Sequence, residues 1–447
     1  VIYKFQKIIQ LINNMGVRYI AFRLFFELKK RLGILKITFP INPQISYFST
    51  LEDWRKKTHF FIPERESWIK EEYLFQVDDI KDKQQKKGLF EFFSNLNYNL
   101  GQEFNWIQNP DTQYHYDINK HWSDINDFDP QIGDIKYVWE KSRFSYLYLT
   151  IRSDIKNGTD SSEYVINEII SWINHNPINQ GPNYKCSQEI SLRVLNWTYA
   201  LQFYRNSSSL TEKRFQQIMH VVYWQMKHVY GNINFSRIAV RNNHAITETL
   251  TLYLVGLIMP FFPDASIWKN KGKEWFEQEI AYQIYPDGTF LQFSMNYHRV
   301  VIQLLNLALK LSNHYKEQFS QIVYDRAYQS LNFLHQCQDI ASGQLPNYGA
   351  NDGALFFPLS SCAYPDFRPA MQCLNYLLTG SLLYENGPWD EERKLLNIHN
   401  PVASLPVLTQ KQGWSSFPDG GYYTLRERNT LTFVRCGNHK DRPSQAD

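Results

Sequence analysis

The chain has 447 residues, of which 43% are hydrophobic, 20% charged and 16% aromatic, a mix that excludes a disordered chain, a collagen-like repeat and a small disulfide scaffold. Its 47 Lys and Arg nearly balance 44 Asp and Glu, leaving a net charge of +3, so there is no broad positive field and nucleic acid is not expected as a partner. The 12 Trp, 29 Tyr and 30 Phe offer flat apolar faces with polar edges, which serve either as core filler or as platforms for sugar rings.

The opening stretch, VIYKFQKIIQLINNMGVRYIAFRLFFELKKRLG, is interrupted by charge too often to span a membrane and lacks the features of a signal peptide. It reads as amphipathic helix. Its basic residues Arg18, Arg23, Lys29, Lys30 and Arg31 either lie solvated over the protein's own surface or make a peripheral contact with an anionic membrane. The lack of a signal peptide points to the cytoplasm, and a native start upstream of Val1 would allow the periplasm instead. Residues 1–100 are expected to form an N-terminal helical and loop segment. Within it, Asp78-Asp79-Ile80-Lys81-Asp82 matches a magnesium–diphosphate pattern, but Lys81, Lys83, Lys86 and Lys87 mark a solvated run. Asn105 to Ile135, rich in Asn, Asp, Trp and Tyr without helical period, is expected to be a functional loop.

From Asp134 the texture is helical. The spacing predicts helices over SSEYVINEIISWI, Ser187 to Tyr204, FQQIMHVVYWQMKHVYG, His244 to Leu257, Lys273 to Ile284, Tyr297 to Leu311, Ser320 to Cys337 and Arg368 to Leu378. Ser209 with Glu212 reads as a capping box and Gly231 as a closing residue for the third of these. So many helical hairpins stack as a bundle, a solenoid or a closed toroid, and no fixed-period repeat supports the solenoid. After Pro401, Gly420-Gly421 marks a turn, and YYTLR and LTFVRC, separated by Arg428-Asn429, read as strands. Residues 401–447 thus look like the first strands of a β-domain, and so few strands imply a chain continuing past Asp447. Cys186, Cys337, Cys362, Cys373 and Cys436 form no CxxC pair and read as buried free thiols.

Two polar clusters sit where helices begin. In Arg241-Asn242-Asn243-His244-Ala245-Ile246-Thr247-Glu248, Asn243 is either an N-cap or a functional amide, with His244 in the first turn. In YPDGTFLQFSMNYHR, a Pro286-Asp287-Gly288 turn leads into a helix whose first turn carries Tyr297, His298 and Arg299. Glu189 and Arg193, at i and i+4, either pair with each other or line a cavity. Asn351 and Asp352 either make an Asx-turn or orient the site, while Arg241, Arg299 and Arg442 are candidates to bind a carboxylate. Asp287 with Asp352 would suit a two-carboxylate hydrolase, although the Asp287 turn reads more simply as structural.

NNHAITETL followed by QIYPDGTFLQFSMNYHRVV resembles the paired motifs of the heparinase II/III-like polysaccharide lyases, a group that includes heparinase III and related alginate lyases. The resemblance continues in order through DIKYVWEKSR, EISLRVLNW, LPNYGANDGA, FPDGGYYTLR and DRPSQAD. It implies a mainly α fold, an incomplete (α/α) toroid over about 101–400 followed by the start of an antiparallel β-sandwich. It also implies β-elimination on a uronic-acid-containing acidic polysaccharide. Asn243 would then neutralise the uronate carboxylate, Tyr297 would serve as acid and either Tyr297 itself or His244, as in the alginate-lyase branch, as base, with Arg241, Glu189, Arg193, Asn351, Asp352 and Arg442 as substrate-binding candidates. The family's further His has no match in DRPSQAD, where Pro443, Ser444 and Gln445 stand, and His439 is out of step. No metal ligand set is identified. The resemblance suggests zinc or calcium in the β-domain, with Asp447 as one ligand. The alternatives are a non-catalytic glycan-binding or assembly protein of cell-surface polysaccharide production, and a toroid glycoside hydrolase.

Overall fold

A computed structural model of the chain describes residues 2–70, 76–126 and 128–437. Helix α1 (Ile2–Arg31) bends at Gly16, whose φ of 79° suits glycine alone at little cost. Short helices α2 (Ile34–Thr38), α3 (Leu51–Lys57), α4 (Arg65–Lys70) and α5 (Asp79–Lys86) follow. In α3 the local rules agree: Thr50 caps the Asp53 amide, acids open the helix, and Arg55, Lys56 and Lys57 close it. A hairpin that the sequence reading does not anticipate, β1 (Leu89–Phe92) against β2 (Leu96–Asn99), comes next. The stretch 105–135 is irregular as expected, held by a Gln108–His115 bridge, a 3-10 turn at Trp122–Asp124 and the two-residue ladder β3 (Phe128–Asp129) and β4 (Gly133–Asp134).

The toroid is built from α6 (Lys136–Ser142), α7 (Leu147–Asn157), α8 (Ser162–His175), α9 (Ser187–Phe203), α10 (Glu212–Asn234), α11 (Asn243–Ile258), α12 (Ala265–Gln283), α13 (Met295–His314), α14 (Gln321–Cys337) and α15 (Arg368–Thr379). Helices α7, α9, α11, α13 and α15 touch in series, and α8, α10, α12 and α14 pack outside them. The sequence explains this division. All 17 residues of α9 are buried, and α11 and α13 are almost as enclosed, as expected of helices covered on every side. The outer helices bury one stripe, such as Phe215, Ile218, Met219 and Val222 of α10. Trp172, Trp197 and Trp268 are wholly buried between the layers, and seven of the 12 Trp are buried, so most of the tryptophan content is core.

Several expected boundaries are corrected. Thr211, not Ser209, caps α10 by accepting from the Arg214 amide, while Ser209 lies in the preceding turn with its backbone amide donating to Ser207 Oγ. Gly231 does not end that helix, which runs to Asn234 and passes into a π-turn over Phe235–Val240. Asn242, not Asn243, is the N-cap of α11, its Oδ1 accepting from the His244 amide at 3.0 Å. Asp82 of the DDxxD stretch is buried against Thr150 and Lys86, not solvated, while Asp78 caps α5 and Asp79 pairs with Lys156. Cys337 and Cys373 are buried thiols, but Cys436 is exposed.

After α16 (Glu391–Leu395), strands β5 (Gly413–Phe417), β6 (Tyr422–Glu427) and β7 (Thr430–Arg435) form an antiparallel meander. Asp287 joins it to the toroid. Its Oδ2 accepts from the Asp419 amide at 2.7 Å and the Gly420 amide at 3.3 Å, while Oδ1 holds Thr289. Both oxygens of that carboxylate are taken up by three backbone amides and the Thr289 hydroxyl, which speaks against a role in a two-carboxylate hydrolase.

Candidate active site

Four segments supply the site: the first turn and end of α6, the start of α9, the start of α11, and the start of α13 with the loop 347–364. The entry to α13 is fixed by Ser294, whose Oγ accepts from the Tyr297 amide at 3.2 Å and donates to the Ala350 carbonyl at 2.5 Å. One residue therefore sets both the helix start and the loop that faces it. The loop is pressed against the β1–β2 turn at Gly353, whose φ is +74° and where a Cβ would lie 1.8 Å from the Phe93 carbonyl oxygen. Only glycine fits so close an approach.

This packing brings Asp352 to Tyr297. The phenol donates to Asp352 Oδ2 at 2.7 Å, and Lys136 Nζ stands 3.6 Å from the same oxygen. Burial, and then the Asp352 charge, push the Tyr297 hydroxyl well above its ordinary value, so it keeps its proton. Asn351 makes the expected Asx-turn onto the Gly353 amide and also receives the Tyr364 hydroxyl at 2.6 Å. Asn351, Asp352, Lys136, Tyr137 and Tyr364 line a cavity of about 410 Å³.

His244 lies on a second cavity of about 310 Å³ with Trp122, Trp139, Cys186, Arg23 and Lys30. Its Nδ1 is 3.7 Å from Cys186 Sγ. Desolvation lowers the imidazole to about 4, partly countered by Glu189, so the ring is neutral near pH 7. Arg143, Glu189 and Asp352 act electrostatically on both His244 and Tyr297, although His244 lines this second cavity and Asp352, the partner of Tyr297, lines the first.

Asn243 is 1% exposed. Its backbone amide donates to Gln292 Oε1 at 3.3 Å, linking the start of α11 to the approach to α13. Both polar atoms of its side chain are buried without a hydrogen-bond partner. An amide so placed costs stability and is normally satisfied.

The other candidates separate. Glu189 and Arg193 do not pair. Glu189 accepts a bidentate pair from Arg143, Nε to Oε2 at 2.6 Å and Nη2 to Oε1 at 2.9 Å, and Arg143 also meets Glu140. Arg193 is 0% exposed, stacked on Trp172 and bonded to Gln225, Asn183 and Ser142, so its assignment as a substrate ligand is corrected. The reason is its place on α9, a helix enclosed on every side. Arg299 is likewise 2% exposed, held by Tyr364 and Asn296. Arg241 packs 3.6 Å above the Tyr282 ring. Arg442, His439 and Asp447 lie outside the described residues. Among the described residues no three His, Cys, Asp or Glu side chains gather to hold a metal, so these residues do not fit a metal site and no step is assigned to one.

Sequence reasoning gave no role to Lys136, Glu140, Arg143 or Gln292. The first three lie in DIKYVWEKSR, which enters the sequence analysis only as part of the family resemblance.

The profile described as Heparinase II/III N-terminus matches residues 48–337, from just before α3 through α14. The chain belongs to the heparinase II/III family. A heparin-sulfate lyase of Bacteroides thetaiotaomicron is 22% identical over 265 residues, 57% of this chain and 35% of that protein. One of Bacteroides stercoris is 23% identical over 254 residues, 52% of this chain and 35% of that protein. The chain thus matches about a third of the length of these curated relatives. A crystal structure of heparinase III superposes with a TM-score of 0.54 at 16% identity, covering 88% of this chain and 57% of that one. A heparinase III structure with methylated lysines gives 0.51 at 18%, over 87% and 57%. These likenesses establish the family fold, an incomplete α/α toroid leading into β structure.

Proposed function

We propose that this chain carries the toroid of a polysaccharide lyase acting by β-elimination on a uronic-acid-containing polysaccharide. The observation that carries the reading is the buried, unpartnered amide of Asn243, on the helix that also presents His244 and hydrogen-bonded to the approach to Tyr297. In β-elimination a base removes the C5 proton, charge spreads into the adjoining carboxylate, and the glycosidic oxygen at C4 leaves with a proton. Asn243 Nδ2, having no internal acceptor, is suited to donate to that carboxylate as its charge grows. His244, neutral at pH 7, accepts the C5 proton. A uronate bound beside the ring adds negative charge that raises its basicity. Tyr297, which holds its proton, donates it to the leaving oxygen once it turns from Asp352. The products are a new hydroxyl end and a 4,5-unsaturated uronate.

The test is incubation of the chain with heparan sulfate, alginate and other uronate polymers while following ultraviolet absorbance of the conjugated product. Tyr297→Phe and Asn243→Ala are expected to lose the absorbance rise while still binding polymer. New reducing ends without absorbance would mean hydrolysis, and binding by the parent without either would mean a non-catalytic glycan-binding role. A Tyr297→Phe protein as fast as the parent would remove the assignment.

A further inference from the structure

Charge is distributed unevenly along this chain. Residues 1–38 hold five Lys and three Arg against the single Glu27, a net +7, while the rest has 39 Lys and Arg against 43 Asp and Glu. A protein of small net charge therefore carries a concentrated basic segment on an otherwise acidic body.

The structure shows how that segment is displayed. Helix α1 meets the toroid through Phe22 and Phe26, whose rings lie 6.3 and 5.0 Å from that of Phe235 in the π-turn. Arg23 stacks on the same ring at 5.4 Å. The face turned away from the body is not polar. Val17, Leu24, Phe25, Leu28 and Leu32 are 50–68% exposed, with exposed Ala21 among them. At helical spacing these positions form one stripe. Arg18 and Lys29 border it on one side and Arg31 on the other, and Lys29 Nζ sits 4.6 Å over the Phe25 ring. Beyond the helix, Ile37 adds an apolar side chain that is 80% exposed.

We infer that the exposed face of α1 docks on an anionic lipid bilayer. An apolar stripe bordered by cations is the arrangement of a helix lying in the plane of the headgroups, its side chains entering the acyl boundary while Lys and Arg meet lipid phosphates. No described helix is long and apolar enough to cross a membrane, so the contact is peripheral. A second copy is the poorer occupant, because apposing two such faces brings the same cations together. The docking is independent of the lyase reading and holds whether or not the chain is catalytic.

The experiment is co-sedimentation of the full chain with vesicles of phosphatidylcholine alone and of phosphatidylcholine with phosphatidylglycerol, at low and high salt. Binding is expected to the anionic vesicles only and to fall with salt. Leu24→Ser/Phe25→Ser/Leu28→Ser and, separately, Arg18→Gln/Lys29→Gln/Arg31→Gln are each expected to weaken partitioning at least about tenfold, with thermal unfolding unchanged. No binding by the parent chain, equal binding to neutral vesicles, or undiminished binding by folded forms of both triples would overturn the proposal. So would a concentration-dependent dimer abolished by the apolar triple, which would make the face an interface between copies. Should either triple fail to fold, the lipid and salt dependence of the parent chain still decides the outcome.

Discussion

The hydroxyl of Tyr297 donates to Oδ2 of Asp352 at 2.7 Å, across 55 positions of sequence. Ser294 and the Met295 amide, which donates to the Tyr348 carbonyl at 3.0 Å, clip the intervening loop to the start of α13. The second carboxylate oxygen of Asp352 is buried without a hydrogen bond, so the group leans on Tyr297 and Lys136 for its stabilisation. Asp352 acts on the proposed chemistry by holding the phenol in its protonated form.

Replacing Asp352 by Asn removes a negative charge beside the phenol and should lower the Tyr297 pKa, though not to its ordinary value, because burial is the larger cause of the rise. If Tyr297 is the acid, activity needs its protonated form. The alkaline limb of the pH–rate profile is then expected to move to lower pH in Asp352→Asn. An unmoved limb would mean that Tyr297 does not set it.

Asn243→Leu tests whether an unsatisfied amide is kept for function. Leucine has similar volume and no polar atoms, so it relieves the desolvation of two orphaned groups and should raise unfolding free energy by about 1–3 kcal/mol in urea titration. Turnover should fall by roughly a hundredfold or more. A destabilised variant would show that the amide has a partner in solution.

Arg143 sits between Glu140 and Glu189, each of which has little access to water. Removing the cation leaves two buried carboxylates close together. Arg143→Met is expected to lose about 3–5 kcal/mol. Arg143→Lys should recover only part of this, since an ammonium cannot meet Glu189 through two parallel bonds. Denaturant midpoints measured side by side decide it.

Burial lowers His228 and His298 to about 3 and His244 to about 4, from an ordinary 6.5. Between those values the unfolded chain takes up protons that the folded chain refuses. Stability is therefore expected to be full above pH 6.5 and to decline as pH falls toward 4. His298→Gln should flatten the decline in the unfolding free energy measured across that range.

The alternation of texture along the chain was enough to reveal eight of the ten helices of the toroid, from α8 to α15, and two of the three C-terminal strands, because amphipathic periods and turn residues are local. Caps shifted by one or two positions, as at Asn242 and Thr211, since adjacent residues of equal capping ability are separated only by what else they bind. The β1–β2 hairpin escaped notice because its strands are short and lean on Tyr137 and Glu140 rather than on a pattern of their own.

Sequence alone determined that this is a helical, aromatic-rich protein with motifs of the heparinase II/III family, and that its positive charge is concentrated at one end. The tertiary structure decided which charges meet. Glu189 could have paired with Arg193 one helical turn away, yet it meets Arg143 from another helix, because α9 lies inside the ring and points its two faces into different surroundings. It also decided that the apolar stripe of α1 faces outward, since Phe22, Phe26 and Arg23 on the opposite side of the helix are the residues that meet the Phe235 ring.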